Sequence, residues 1–144
     1  MGWKGKPMNE SEPMLEHEEV RKIIEDTVNA TVIKLKMSGL MKDNRKTAYE
    51  KTEELLKNYN TFRDIKGHPC TKRIVNRIDL ALKEIDADIY YDIIPMFYFD
   101  QMTRESIAEH FRTSERTITR NKSRLINLLK VKLFSDDVIF ELFL

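Results

Sequence analysis

The chain has 144 residues, 41% hydrophobic and 34% charged, with a formal net charge of +1. That size and apolar share suit one domain, or a small domain with an extension, and the near-neutral charge excludes a globally basic polycation, so any nucleic-acid contact must rest on local clustering of charge. A single cysteine, Cys70, excludes an internal disulfide, no window is long and apolar enough to span a bilayer, and residues 1–13 lack the apolar run of a secretory signal, so a cytoplasmic chain with no membrane association is expected.

Glycine and proline are few and lie mostly at the ends or at breaks, which predicts long helices with short connectors. Residues 1–13 read as a disordered lead-in. A first helix is expected over about 13–38: Val20, Ile24, Val28 and Val32 recur every four residues, and Ile23 and Leu35 widen the stripe. Glu16, Glu18 and Glu19 stand where the helix dipole favours negative charge, and Gly39 offers a C-cap. A second helix over about 44–63 puts Tyr49, Thr52, Leu55, Leu56, Tyr59 and Phe62 on one face. Gly67, His68 and Pro69 make a turn and the best boundary between two halves; His68 and Cys70 flank Pro69 without the further ligands a metal site needs. A third helix over 71–85 aligns Ile74, Ile78, Leu82 and Ile85. Asp86-Ala87-Asp88 is a break with N-cap chemistry. The segment 89–99 is dense in apolar and aromatic groups, and Pro95 inside it removes a backbone hydrogen bond, which demands either a kink or a tight first turn. A short helix, a long helix and a final helix from Ser135 follow. The fold predicted is all-α, with an N-terminal region of two long helices over 14–66 and a C-terminal domain over 71–144.

Residues 102–125 carry the functional pattern. Thr103 can cap a short helix in which Ile107 and Phe111 point inward, and Ala108 is small where a second helix must cross closely. Arg112 and Thr113 make the turn, Ser114 can cap the next helix, and Ile118 and Leu125 face the core two turns apart. Two helices joined by so short a turn cross steeply, and the second presents its outer face to a DNA major groove. That face is expected to hold Glu115, Arg116, Thr117, Thr119, Arg120 and Lys122, with Ser123 and Arg124 one turn on. Thr103, Arg104, Arg112, Thr113 and Ser114 complete the expected contact set for double-stranded DNA. Arginine can donate two bonds to guanine O6 and N7, and threonine can reach a thymine methyl or a phosphate. Between Arg112 and Lys132 seven basic residues (112, 116, 120, 122, 124, 130, 132) stand against one acid, Glu115, for a local net of +6. Arg112 occupies the turn position that glycine often takes, so it must hold a less favourable backbone conformation. Ile118, Leu125, Leu128 and Leu129 are expected in the core. Ile126, Leu133 and Val131 form a second stripe that either packs under the last helix or makes a subunit contact. The apolar ending, 138–144, exposes a patch unless it folds back.

The stretch 107–124 resembles the helix-turn-helix of sigma-factor region 4. The wider chain, over about 45–140, is similar to the ArpU-type regulators of phages and prophages of Gram-positive bacteria. The stretches that carry this are 49–60 (Tyr-Glu-Lys-Thr-Glu-Glu-Leu-Leu-Lys-Asn-Tyr-Asn), 93–99 (Ile-Ile-Pro-Met-Phe-Tyr-Phe) and 133–139 (Leu-Phe-Ser-Asp-Asp-Val-Ile). The resemblance implies a transcriptional regulator of phage late genes or of autolysin export. No glycine-rich phosphate loop, nucleophile elbow or clustered acid pair appears, so neither an enzyme nor a cofactor is expected. The expectation is a sequence-specific DNA-binding regulator, read as a homodimer because many such proteins bind two half-sites. The alternative is a helical interaction module that uses the same shape without touching DNA, with RNA polymerase or a phage packaging protein as partner; the aromatic run at 97–99 and the apolar C-terminus motivate it.

Overall fold

Every regular element among the described residues of the computed structural model, 11–42, 45–65 and 69–134, is helical. None of these helices is long and apolar enough to cross a membrane. The lead-in up to residue 10, the start of the second helix at Asn44, the turn residues Gly67 and His68, and the final helix from Ser135 with its apolar ending lie outside the described residues.

Helix α1 (Ser11–Lys42) takes up 32 residues, about 48 Å at 1.5 Å per residue. It begins earlier than the sequence suggests, so residues 11–13 are helix, and it runs straight through Gly39 instead of ending there. Leu40, just beyond, is buried, and nothing lies within 4 Å of where a Cβ on Gly39 would stand. Burial of Leu40 favours a helix that continues past a residue that weakens helix interiors. The apolar stripe of α1 does not face the core. Val20, Ile23, Ile24, Val28, Val32 and Leu35 are 43–67% exposed, while Ala30, at the edge of the stripe, and Leu40, opposite it, are buried and α1 meets α4.

Helix α2 (Ala48–Lys57) opens on a reciprocal cap: the Glu50 N–H donates to Thr47 Oγ1 (3.2 Å) and the Thr47 N–H donates to Glu50 Oε2 (2.8 Å). The single helix expected over 44–63 is two. At Asn58 the side-chain amide donates to the Glu54 carbonyl (2.7 Å), competing with the regular ladder, and helix α3 (Tyr59–Asp64) begins just after it. The predicted apolar face survives the break, with Thr52, Leu55, Leu56, Tyr59 and Phe62 all buried. Helix α4 (Pro69–Ile85) starts on Pro69, where a missing N–H costs nothing. Its Ile74, Ile78, Leu82 and Ile85 are buried as expected.

Residues 86–92 turn without regular structure. Pro95 then opens a π-helical turn (Pro95–Phe99), closed by the Asp100 N–H donating to the Pro95 carbonyl (2.9 Å). Proline is tolerated because the Tyr91 carbonyl is already taken by the Ile94 N–H (3.0 Å). The Tyr98 ring is buried, and its hydroxyl donates to Glu53 Oε1 on α2 (2.5 Å). Phe99 stacks on Tyr59 with ring centroids 4.4 Å apart. The Tyr59 hydroxyl donates to Asp79 on α4 (2.6 Å), and burial together with that carboxylate pushes its pKa up to about 12.

The last two helices are α5 (Arg104–Phe111) and α6 (Glu115–Leu133). The main core joins α2, α3 and α4 to α6, so it draws on residues from both sides of the expected boundary at 67–69. Ile118, Leu125, Ile126, Leu129 and Leu133 define the buried arc of α6. Leu128 and Val131 lie outside that arc and are exposed, contrary to the core role expected for Leu128; of the second stripe, Ile126 and Leu133 are buried in the main core and Val131 is not.

Candidate nucleic-acid interface

Local sequence builds the α5–α6 pair almost residue by residue. The Ser106 N–H donates to Thr103 Oγ1 (3.1 Å) and the Thr117 N–H donates to Ser114 Oγ (3.1 Å), so each helix begins on the cap predicted for it. Helix α5 ends in a Schellman motif: the Thr113 N–H donates to the Ala108 carbonyl (3.0 Å) and the Arg112 N–H to the Glu109 carbonyl (3.1 Å). This requires a left-handed residue, and Arg112 takes it, with φ 54° and ψ 48°. Ile107, Ala108 and Ile118 close the angle between the helices over Ile93, with Phe111 packed at the edge against the Tyr90 ring.

The exposed side of this pair is cationic. Arg104 from the first turn of α5 and Glu115, Arg116, Thr119, Arg120 and Ser123 from α6 line one shallow concavity of about 500 Å³. Arg104, Glu115, Arg116, Thr119 and Arg120 are exposed, as is Arg112 at the turn. Among the described residues no ion pair engages the guanidinium groups of Arg104, Arg112, Arg116 or Arg120. Four arginines thus stand within one turn-and-helix unit, with Glu115 the single acid in the concavity.

Other expected contact residues are turned to internal work. Lys122 does not lie on the outer face. Its ammonium sits 4.1 Å from the Phe97 ring centroid and 3.5 Å from Glu53 Oε1, the carboxylate that also receives the Tyr98 hydroxyl. Arg124 is clamped by Asp88, with both Asp88 carboxylate oxygens accepting, at 2.6 and 2.9 Å, and it also donates to Asn121 Oδ1. That hydrogen-bonded guanidinium holds the Asp88 carboxyl below its ordinary value. Ser123 is half-buried and takes a bond from the Tyr49 hydroxyl (3.2 Å), though it still borders the concavity. Thr117 is half-buried with its hydroxyl against that of Ser114 (3.0 Å), and Thr113 is half-buried in the turn. Lys132 pairs with Glu84 on α4. Three of the seven cations between Arg112 and Lys132 are therefore spent on orienting α6.

The supporting residues, Tyr49, Glu53, Asp88, Phe97 and Tyr98, were not apparent from spacing. Each lies 24 or more residues from its α6 partner, and no local pattern announces such a pairing. No protein-family model, curated protein or solved structure matches the chain.

Proposed function

We propose that the chain is a sequence-specific double-stranded DNA-binding transcriptional regulator that places the first two turns of α6 in the major groove, as a helix-turn-helix does. The observation that carries this reading is the row of exposed arginines, Arg104, Arg112, Arg116 and Arg120, on a helix pair whose opposite side is packed and ion-paired in place. Arg116 and Arg120 are the base-reading candidates, Thr119 a methyl or phosphate contact, and Arg104 and Arg112 phosphate contacts at the two ends. Glu115 suits the amino group of a cytosine. Kinship to ArpU-type phage regulators, a cytoplasmic setting and the absence of catalytic chemistry belong to the same proposal. A polymerase contact is compatible with it, since Leu128 and Val131 leave exposed apolar surface on α6 away from the arginines.

Fluorescence anisotropy of the full chain on duplexes selected from random sequence tests the reading. The two phosphate-neutralising arginines, Arg104 and Arg112, predict a log–log salt slope of about −2 per bound copy. Arg116→Ala or Arg120→Ala is expected to cost about 1–3 kcal/mol on the selected sequence and far less on unrelated DNA. A folded chain that selects no sequence, or binds with no salt dependence, contradicts the proposal.

A further inference from the structure

The exposed stripe of α1 has a chemistry of its own. Val20, Ile23, Ile24, Val28, Val32 and Leu35 span fifteen residue steps, about 22 Å of helix. Six large apolar side chains, each 43–67% exposed, make a contiguous patch of the kind that monomers rarely leave in water. Packing within the chain buries Leu40, which lies opposite the stripe, and Ala30, which borders it two turns from Ile23, and leaves all six stripe side chains exposed.

Charge along the helix is polarised. From Glu16 to Asp26 there are five acids (16, 18, 19, 25, 26) and two bases (21, 22), whereas 27–42 holds Lys34, Lys36 and Lys42 and no acid. A second copy of the same helix laid antiparallel brings the acidic half of each against the lysine half of the other. A parallel copy sets acid on acid and lysine on lysine along the whole contact. The midpoint of the stripe falls between Thr27 and Val28, so an antiparallel crossing there sets Val20 of one copy near Leu35 of the other and Ile23 near Val32. Both ends of the stripe are then matched, and Ile24 and Val28 stand near the axis opposite Thr31 and Thr27. A two-fold axis satisfies this self-complementarity, as the commonest oligomers require.

We propose that the chain dimerises through α1, antiparallel, with Val28 at the crossing. The dimer does not depend on the DNA reading. If that reading also holds, the dimer carries two arginine faces and calls for two half-sites.

Light scattering on the full chain after size exclusion, at micromolar concentration and moderate salt, is expected to give twice the chain mass. The double variant Ile24→Glu/Val28→Glu is expected to halve that mass while leaving the helical circular dichroism and the unfolding midpoint of the body unchanged, since both positions are solvent-exposed in the single copy. Orientation is read by disulfide capture in a Cys70→Ser background. Val20→Cys chains mixed with Leu35→Cys chains should cross-link, and Val20→Cys chains alone should not. A monomeric full chain, a dimer indifferent to the double variant, or self-linking of Val20→Cys overturns the proposal. So does a monomer that dimerises only when 135–144 is deleted, since the apolar ending is then the occupant of the stripe. Retention of duplex affinity by a monomer overturns the dimer alone, and an intact dimer that binds no duplex overturns the DNA reading alone.

Discussion

Arg112 holds a left-handed conformation that β-carbon-bearing residues adopt at a cost of about 1–2 kcal/mol. Replacing it with glycine is therefore expected to raise stability by about 1 kcal/mol in urea unfolding and, because an exposed cation is lost, to weaken duplex binding at low salt more than at high salt. A variant that is less stable would show that the arginine side chain contributes more than its backbone costs. At this scale the sequence was most legible: Thr103, Arg112 and Ser114 act through bonds no more than four residues away, and cap and turn chemistry is local. Lys122 was misassigned to the outer face, and the pairing of the exposed Arg124 with Asp88 was missed, for the converse reason. Their side chains end on Phe97, Glu53 and Asp88, and a basic residue in a list of basic residues carries no mark of whether an acid waits elsewhere in the chain.

Helix α6 has two jobs on two sides. Its buried arc anchors it in the main core, and ion pairs at Lys122, Arg124 and Lys132 fix its rotation, leaving the arginines of its first turns outward. The Arg124–Asp88 clamp ties α6 to the turn after α4 and is partly solvated, so Asp88→Asn is expected to cost no more than about 1 kcal/mol at neutral pH. The sign follows from a folded carboxyl held below its ordinary 3.8: its contribution is complete above that value and disappears as the pH falls through the lower folded value. Unfolding of the parent and of Asp88→Asn, compared at pH 7 and at a pH well below 3.8, should converge on the acid side; a gap that persists there would assign the loss to packing. Periodicity located α1, α2 and α4 and their apolar faces. It did not tell that the stripe on α1 faces outward, because a period shows that one side is apolar and says nothing of what meets it. Nor did it show the break at Asn58, where a side-chain amide competes for a backbone carbonyl.

Across the whole molecule a net charge of +1 conceals a strong separation. Carboxylates from α2, α4 and the turn after α4 neutralise three cations of α6, and what remains positive gathers at the α5–α6 turn and the first turns of α6. The field a duplex meets is set by that residue of charge and not by the chain total. The most direct test of this placement is the backbone amide NMR spectrum of the full chain titrated with a short duplex of its selected sequence. Shifts are predicted to concentrate at 103–105 and 112–120, with the α4 amides unmoved. Shifts confined to surfaces that exclude Arg116, Thr119 and Arg120, or no shifts at saturating duplex, would contradict the account.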